Sequence, residues 1–154
     1  MPKRSRQPSA APPTHAPSAA RRVIAQRVTD AHEALAPGAI TAMLFGSTVL
    51  GIADERSDID MSIVFETIPA EAELLSACER AGGGPWTWRN ESADDASFAV
   101  GFDLDGIEVQ IAYTDRRILD ADLDAVLVAH DPTTLNHKIA EGLLKAEALL
   151  GASR

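Results

Sequence analysis

Asp58 and Asp60 flank Ile59 at the head of an apolar-rich run that continues to Phe65. In an extended strand, residues two apart share a face. The spacing therefore aims two carboxylates at one point while Ile59 packs the other way. Converging carboxylates repel each other unless a cation joins them, and ligation by oxygen alone suits Mg²⁺. Ten residues separate Asp58 from the pair Gly46-Ser47, which closes another short apolar run. A Gly-Ser pair that ends a strand and opens a short helix leaves backbone N–H groups free to hold phosphate. A phosphate cradle beside a magnesium site suits phosphoryl or nucleotidyl transfer. The plainer alternative is that Ser47 caps the short helix and the two aspartates line a solvated strand end.

These residues need a frame. Ser18 is a candidate cap for a helix over about 19–36, with Ile24, Val28, Ala31 and Leu35 on one face and Pro37-Gly38 at its end. Residues 40–45 read as the strand that delivers Gly46-Ser47, 48–53 as a short helix, and 59–65 as the strand carrying the aspartates. Pro69 opens a helix to about 81, closed by three glycines. Residues 86–89 suggest a strand with Trp86 and Trp88 on one face. A hairpin is expected over 98–103 and 107–113, turned by Asp105-Gly106. Helices are expected over about 115–129 and 133–150, the last with Leu135, Ile139, Leu143, Ala146 and Leu150 on one face. Strands mixed with flanking helices imply an α/β layer around one sheet.

The 154 residues suit one domain, and 45% hydrophobic composition is ample for a core. The single cysteine, Cys78, excludes an intramolecular disulfide and a cysteine-rich zinc site, and reads as a small buried apolar residue. No run approaches a membrane span and no secretory pattern is present, so a cytoplasmic protein with no membrane partner is expected. Residues 1–17, rich in Pro, Ala and Ser, read as a disordered basic tail. Residues 1–22 hold five basic side chains and no acid, leaving 9 basic against 23 acidic in the remainder, or −14. That field repels a polyphosphate backbone, so long nucleic acid is an unlikely partner and a cationic small molecule or basic protein surface fits better.

With the strand, Gly-Ser turn, short helix and Asp-hydrophobic-Asp strand in this order and spacing, the chain resembles the nucleotidyltransferase superfamily. That superfamily includes DNA polymerase beta, poly(A) polymerases, aminoglycoside nucleotidyltransferases and bacterial minimal nucleotidyltransferases. The resemblance covers about residues 20–114. It implies a nucleotidyltransferase fold: a small mixed β-sheet flanked by helices, with a core over 18–114 and C-terminal helices over 115–154 packed on it. It also implies two Mg²⁺ ions, held by Asp58, Asp60 and a third carboxylate, and an NTP substrate, ATP being the first choice. Gly46, Ser47, Arg56 and Ser57 would line the phosphate side.

The third carboxylate departs from the pattern. In poly(A) polymerases it lies four residues after the turn glycine, a register that lands here on Gln110. Glu108 shares the face of Gln110, displaced by ~6.6 Å along the strand, and resembles the acid of bacterial members that read Val-Glu-Val-Gln. Glu108 is therefore the expected metal ligand and general base. Minimal nucleotidyltransferases also carry an arginine where Leu50 stands, and Arg56 is the nearest substitute. Asp120, Asp122 and Asp124 suit a solvated helix face, and His130 and His137 suit helix ends. Tyr113 is expected in the core.

Two functions follow from the resemblance. One is transfer of an NMP, AMP first, from an NTP to a hydroxyl of an aminoglycoside-like small molecule or a protein. A homodimer or a heteromeric partner would complete the acceptor site, because only about 40 residues follow Tyr113. The other is a catalytically weak or inactive module of the same fold, such as an antitoxin-like partner protein.

Overall fold

A computed structural model describes residues 16–91, 97–127 and 146–150. In chain order the elements are α1 (Ala16–Glu33), β1 (Thr41–Phe45), α2 (Ser47–Leu50), β2 (Ile59–Phe65), α3 (Glu71–Arg80), β3 (Trp86–Glu91), β4 (Ser97–Leu104), β5 (Ile107–Asp115), α4 (Arg116–Leu127) and β6 (Glu147–Leu150). The strands form one mixed sheet of order β3-β4-β5-β2-β1-β6. β2 and β5 run parallel, and every other pairing is antiparallel. This is the expected architecture of a small mixed sheet with flanking helices.

Alternation explains which face is buried. Ile59, Met61 and Ile63 of β2, Val109, Ile111 and Tyr113 of β5, and Val100, Phe102 and Leu104 of β4 are all buried. Against them pack Ile24, Ala25 and Val28 of α1 and Leu74 and Cys78 of α3. The residues between them on β2 and β5, beginning with Asp60 and Glu108, occupy the opposite face. The β4–β5 hairpin turns on Asp105 (φ 53°) and Gly106 (φ 80°), the paired positive φ values that a two-residue turn of primed type requires.

A polar chain crosses this core. His32 Nδ1 lies 2.7 Å from the Val28 carbonyl, and Nε2 lies 2.7 Å from the Tyr113 hydroxyl. A carbonyl only accepts, so Nδ1 carries the proton and Nε2 accepts from Tyr113. The Tyr113 oxygen is then free to accept from Cys78 Sγ at 3.4 Å. Burial drives the His32 pKa down to about 4 and pushes the Cys78 thiol and Tyr113 hydroxyl up. Each group is neutral and partnered, which is the condition for keeping polar atoms in an apolar core.

Three expectations differ from the structure. Residues 147–150, expected to end the last helix, form β6 on β1, with the Thr41 hydroxyl donating to the Leu150 carbonyl at 3.0 Å. Helical spacing of apolar residues is overridden there by the open backbone edge of β1, which another strand satisfies. The rest of that predicted helix, with His130 and His137, lies outside the described residues. Ser18 does not cap α1: the helix begins at Ala16, and Ser18 is a fully buried residue inside it. Trp86 and Trp88 do not share a face, because a register shift between them pairs Trp86 with Phe102 but Trp88 with Gly101. A bulge adds one residue and reverses the alternation beyond it. Trp86, half-buried, packs at a tilt against Phe98 and Tyr113 at the edge of the core, and Trp88 lies on the carboxylate face.

Candidate active site

The candidate site lies where β1 ends and β2 begins. Phe45 pairs with Asp60 in the β1–β2 register, so the turn after β1 passes directly over the Asp60 carboxylate. Gly46 has φ 74° and ψ −153°, a region essentially reserved for glycine. A Cβ at this position would lie 2.9 Å from Asp60 Oδ2. Gly46 therefore serves two purposes, the turn and the close approach of backbone to carboxylate. Ser47 opens α2, whose first N–H groups have no partner within so short a helix. Gly51 ends it in the left-handed conformation (φ 71°).

On the other side of β2, the parallel register sets Gln110 beside Asp60. Gln110 Nε2 donates to Asp58 Oδ2 at 3.2 Å and to Glu108 Oε2 at 3.3 Å. The remaining Glu108 oxygen, Oε1, accepts from Trp88 Nε1 at 2.7 Å. Asp58, Asp60, Glu108 and Gln110 are thus brought together, all half-buried. The carboxylates feel one another. Burial and then the adjacent Glu108 carboxylate raise the Asp58 pKa, with Arg21 opposing; burial, then Asp58 and Glu108, raise that of Asp60.

The loop before β2 is held from α1. Arg21, almost fully buried, donates from Nε to the Ser57 carbonyl at 3.0 Å. Asp54 gathers the loop from within, accepting from the Arg56 N–H at 2.8 Å and the Ser57 hydroxyl at 3.1 Å. These hydrogen bonds hold the Asp54 carboxyl below its usual range. Ser57, expected on the phosphate side, has its hydroxyl committed to Asp54. Arg56 is exposed and contributes its backbone N–H to the loop. Leu50, which follows the turn by three residues, is 63% exposed.

Sequence reasoning did not find Arg21 or the donor role of Trp88. Arg21 enters the sequence analysis only through the charge of residues 1–22, although its place one helical turn before Ala25 and on the side of Val28 is a signal that it faces inward. Arg22, counted likewise, pairs with Glu147 of β6 at 3.0 Å. Tyr113 is in the core as expected. Asp120 lies on an exposed face of α4, 3.7 Å from Arg116, and Asp124 is exposed. The Asp122 side chain lies outside the described residues.

Asp58, Asp60 and Glu108 offer only carboxylate oxygens, the ligand type a hard divalent cation takes, while Gln110 faces Asp58 and Glu108 with its amide N–H. Among the described residues, no group of three or more His, Cys, Asp or Glu side chains stands close enough together to hold a metal ion. The Gln110 amide N–H group stands between the Asp58 and Glu108 carboxylates and donates to both. The groove of about 520 Å³ lined by Glu66, Thr67, Asp115, Arg116, Arg117 and Asp120 lies at the other end of β2 and β5, away from the carboxylates.

No protein-family model and no curated protein matches this chain. Among solved structures it is similar to Cid1, studied for its RNA terminal uridylyl transferase activity, with a TM-score of 0.47 and 15% identity, covering 68% of this chain and 32% of that one. It is also similar to the Cid1 poly(U) polymerase with MgGTP bound, with a TM-score of 0.39 and 15% identity, covering 72% and 36%. The chain therefore spans about a third of the length of those structures. Among the described residues no helix is long and apolar enough to cross a membrane.

Proposed function

We propose that the protein is a Mg²⁺-dependent nucleotidyltransferase that moves an NMP, AMP first, from an NTP to a hydroxyl. The observation that carries this reading is the close approach of the Gly46-Ser47 turn to Asp60, with Asp58 and Glu108 beside it sharing the Gln110 amide. Asp58 and Asp60, with Glu108, would hold the divalent ions. When bound, such ions neutralise the triphosphate and acidify the acceptor hydroxyl. The N–H groups at the start of α2 and the Ser47 hydroxyl would hold the terminal phosphates. Glu108 would take the proton of the acceptor hydroxyl as the hydroxyl oxygen bonds the α-phosphorus and the α–β P–O bond breaks to release pyrophosphate. Arg21 keeps the loop before Asp58 in place from α1.

The acidic body favours a small cationic acceptor, such as an aminoglycoside, over long nucleic acid, with a protein hydroxyl next. A second copy or a partner protein would complete the acceptor side, and a cytoplasmic location fits the composition. Single-turnover incubation with α-labelled ATP, Mg²⁺ and candidate acceptors tests the reading. Label should pass to an acceptor with wild type and fall at least a hundredfold with Asp58→Ala; no transfer, or equal transfer by the variant, would sink it.

A second reading has its own observation: an amide, Gln110, stands beside Asp60 and already occupies the space between two carboxylates. On that reading the protein is an inactive binding module of the same fold, acting like an antitoxin on a partner. Intact Mg²⁺-ATP binding without transfer, or neither, would favour it.

A further inference from the structure

The Trp88–Glu108 contact belongs to neither the turn nor the aspartate pair. Trp88 sits on β3, and Glu108 two strands away on β5. The indole reaches Glu108 only by lying across β4, and at the crossing point β4 has Gly101. A Cβ there would lie 2.8 Å from Trp88 Cζ2 and closer still to its Nε1 and Cε2. Any other residue at 101 would lift the ring from the sheet. The bulge after Trp86 is the other precondition, because without it Trp88 would turn into the core. A bulge, a glycine and an indole on three counts thus serve one 2.7 Å hydrogen bond.

That bond divides the work on Glu108. Oε1 is fixed by the neutral indole N–H, and Oε2 is directed toward Gln110 and the Asp58 side. A tryptophan N–H donates only, so it holds the carboxylate without competing for the proton. It also restricts the rotamers of a side chain that must reach forward along its strand to approach Asp60. Gln110 alone would leave Glu108 free to swing, since its amide is shared with Asp58.

We propose that Trp88 is the positioning residue for Glu108, holding its Oε2 toward Gln110 and the Asp58 side, where it would serve a divalent cation once the Gln110 amide turns away. The cation part rests on the nucleotidyl-transfer reading; the hydrogen bond itself does not. Two measurements separate them. The Trp88 indole N–H resonance, assigned by its loss in Trp88→Phe, should shift clearly in Glu108→Gln with no metal present. An unmoved resonance would show that the contact is not made in solution and overturn the proposal.

The second measurement is a double-mutant cycle on Mn²⁺ affinity by calorimetry. Trp88→Phe keeps the ring over Gly101 but removes the donor, and should weaken Mn²⁺ binding about tenfold, as loss of a partner to a metal ligand does. In a Glu108→Gln background the same change should have no further effect. Unchanged affinity in Trp88→Phe, or an equal loss in both backgrounds, would overturn the positioning role. Absence of Mn²⁺ binding by wild type would overturn the cation part together with the nucleotidyl-transfer reading, and the indole shift would then stand as a record of the contact alone.

Discussion

Replacing Gly46 with alanine tests the geometry of the candidate site at one atom. The substitution adds a single methyl group, and the structure assigns it two penalties. The backbone at φ 74° and ψ −153° costs a residue with a Cβ about 2 kcal/mol. The new Cβ, 2.9 Å from Asp60 Oδ2, must displace that carboxylate or the turn, at roughly 1 kcal/mol more. Gly51 supplies the control within the same loop. It also has positive φ (71°), but nothing lies within 4 Å of a Cβ there, so Gly51→Ala costs only about 1 kcal/mol. For a domain of this size each kcal/mol lowers Tm by about 3 °C. Thermal unfolding should therefore show a fall of about 9 °C for Gly46→Ala and about 3 °C for Gly51→Ala. The two variants should also part in function, Gly46→Ala losing Mg²⁺-ATP binding and Gly51→Ala keeping it. Equal losses in both variants would refute the close approach of the turn to Asp60.

The remaining expectations concern the core and the loop. A folded-state His32 pKa of about 4 against an ordinary 6.5 means the unfolded chain binds the extra proton first. The corresponding stability, about 3 kcal/mol at ~1.4 kcal/mol per unit, is fully present above pH 6.5 and lost as pH falls toward 4. Urea unfolding across that window should show this loss. A His32→Gln variant should be less stable at pH 7.5 yet flatter with pH, since Asp58 and Asp60, whose pKa values are raised, push the other way by relieving repulsion in acid; parallel pH curves would contradict the assignment. Tyr113→Phe leaves His32 Nε2 buried without its donor and should cost about 1–3 kcal/mol in the same assay. Arg21→Met frees the Ser57 carbonyl, so hydrogen exchange over residues 54–58 should quicken while β2 stays protected; unchanged exchange over 54–58 would show that the loop is held by Asp54 alone.

Local patterns in the sequence carried much of this structure. The alternation of β2 placed Asp60 opposite Ile59 and Met61, and Asp105-Gly106 marked the hairpin, because both signals act within a few residues. Gly46-Ser47 was legible for the same reason, although its contact with Asp60 depends on the pairing of β1 with β2. What local pattern did not reveal depends on distant partners. Residues 147–150 carry apolar spacing suited to a helix, but the open edge of β1 recruits them as a strand. Period-two reasoning put Trp86 and Trp88 on one face, and a bulge set by pairing with β4 separates them. Glu108 and Gln110 were both recognised as candidates for the third position. Their arrangement, with the amide between Asp58 and Glu108 and the indole beyond, requires four strands in register and is written in no single segment.

The most direct test of the account needs no acceptor. Calorimetric titration of the full chain with ATP, with and without Mg²⁺, asks whether the three carboxylates and the turn above them form a nucleotide site. The account predicts binding that requires Mg²⁺ in wild type and is lost in Asp60→Asn. No heat with Mg²⁺-ATP, or equal binding by Asp60→Asn, would contradict it.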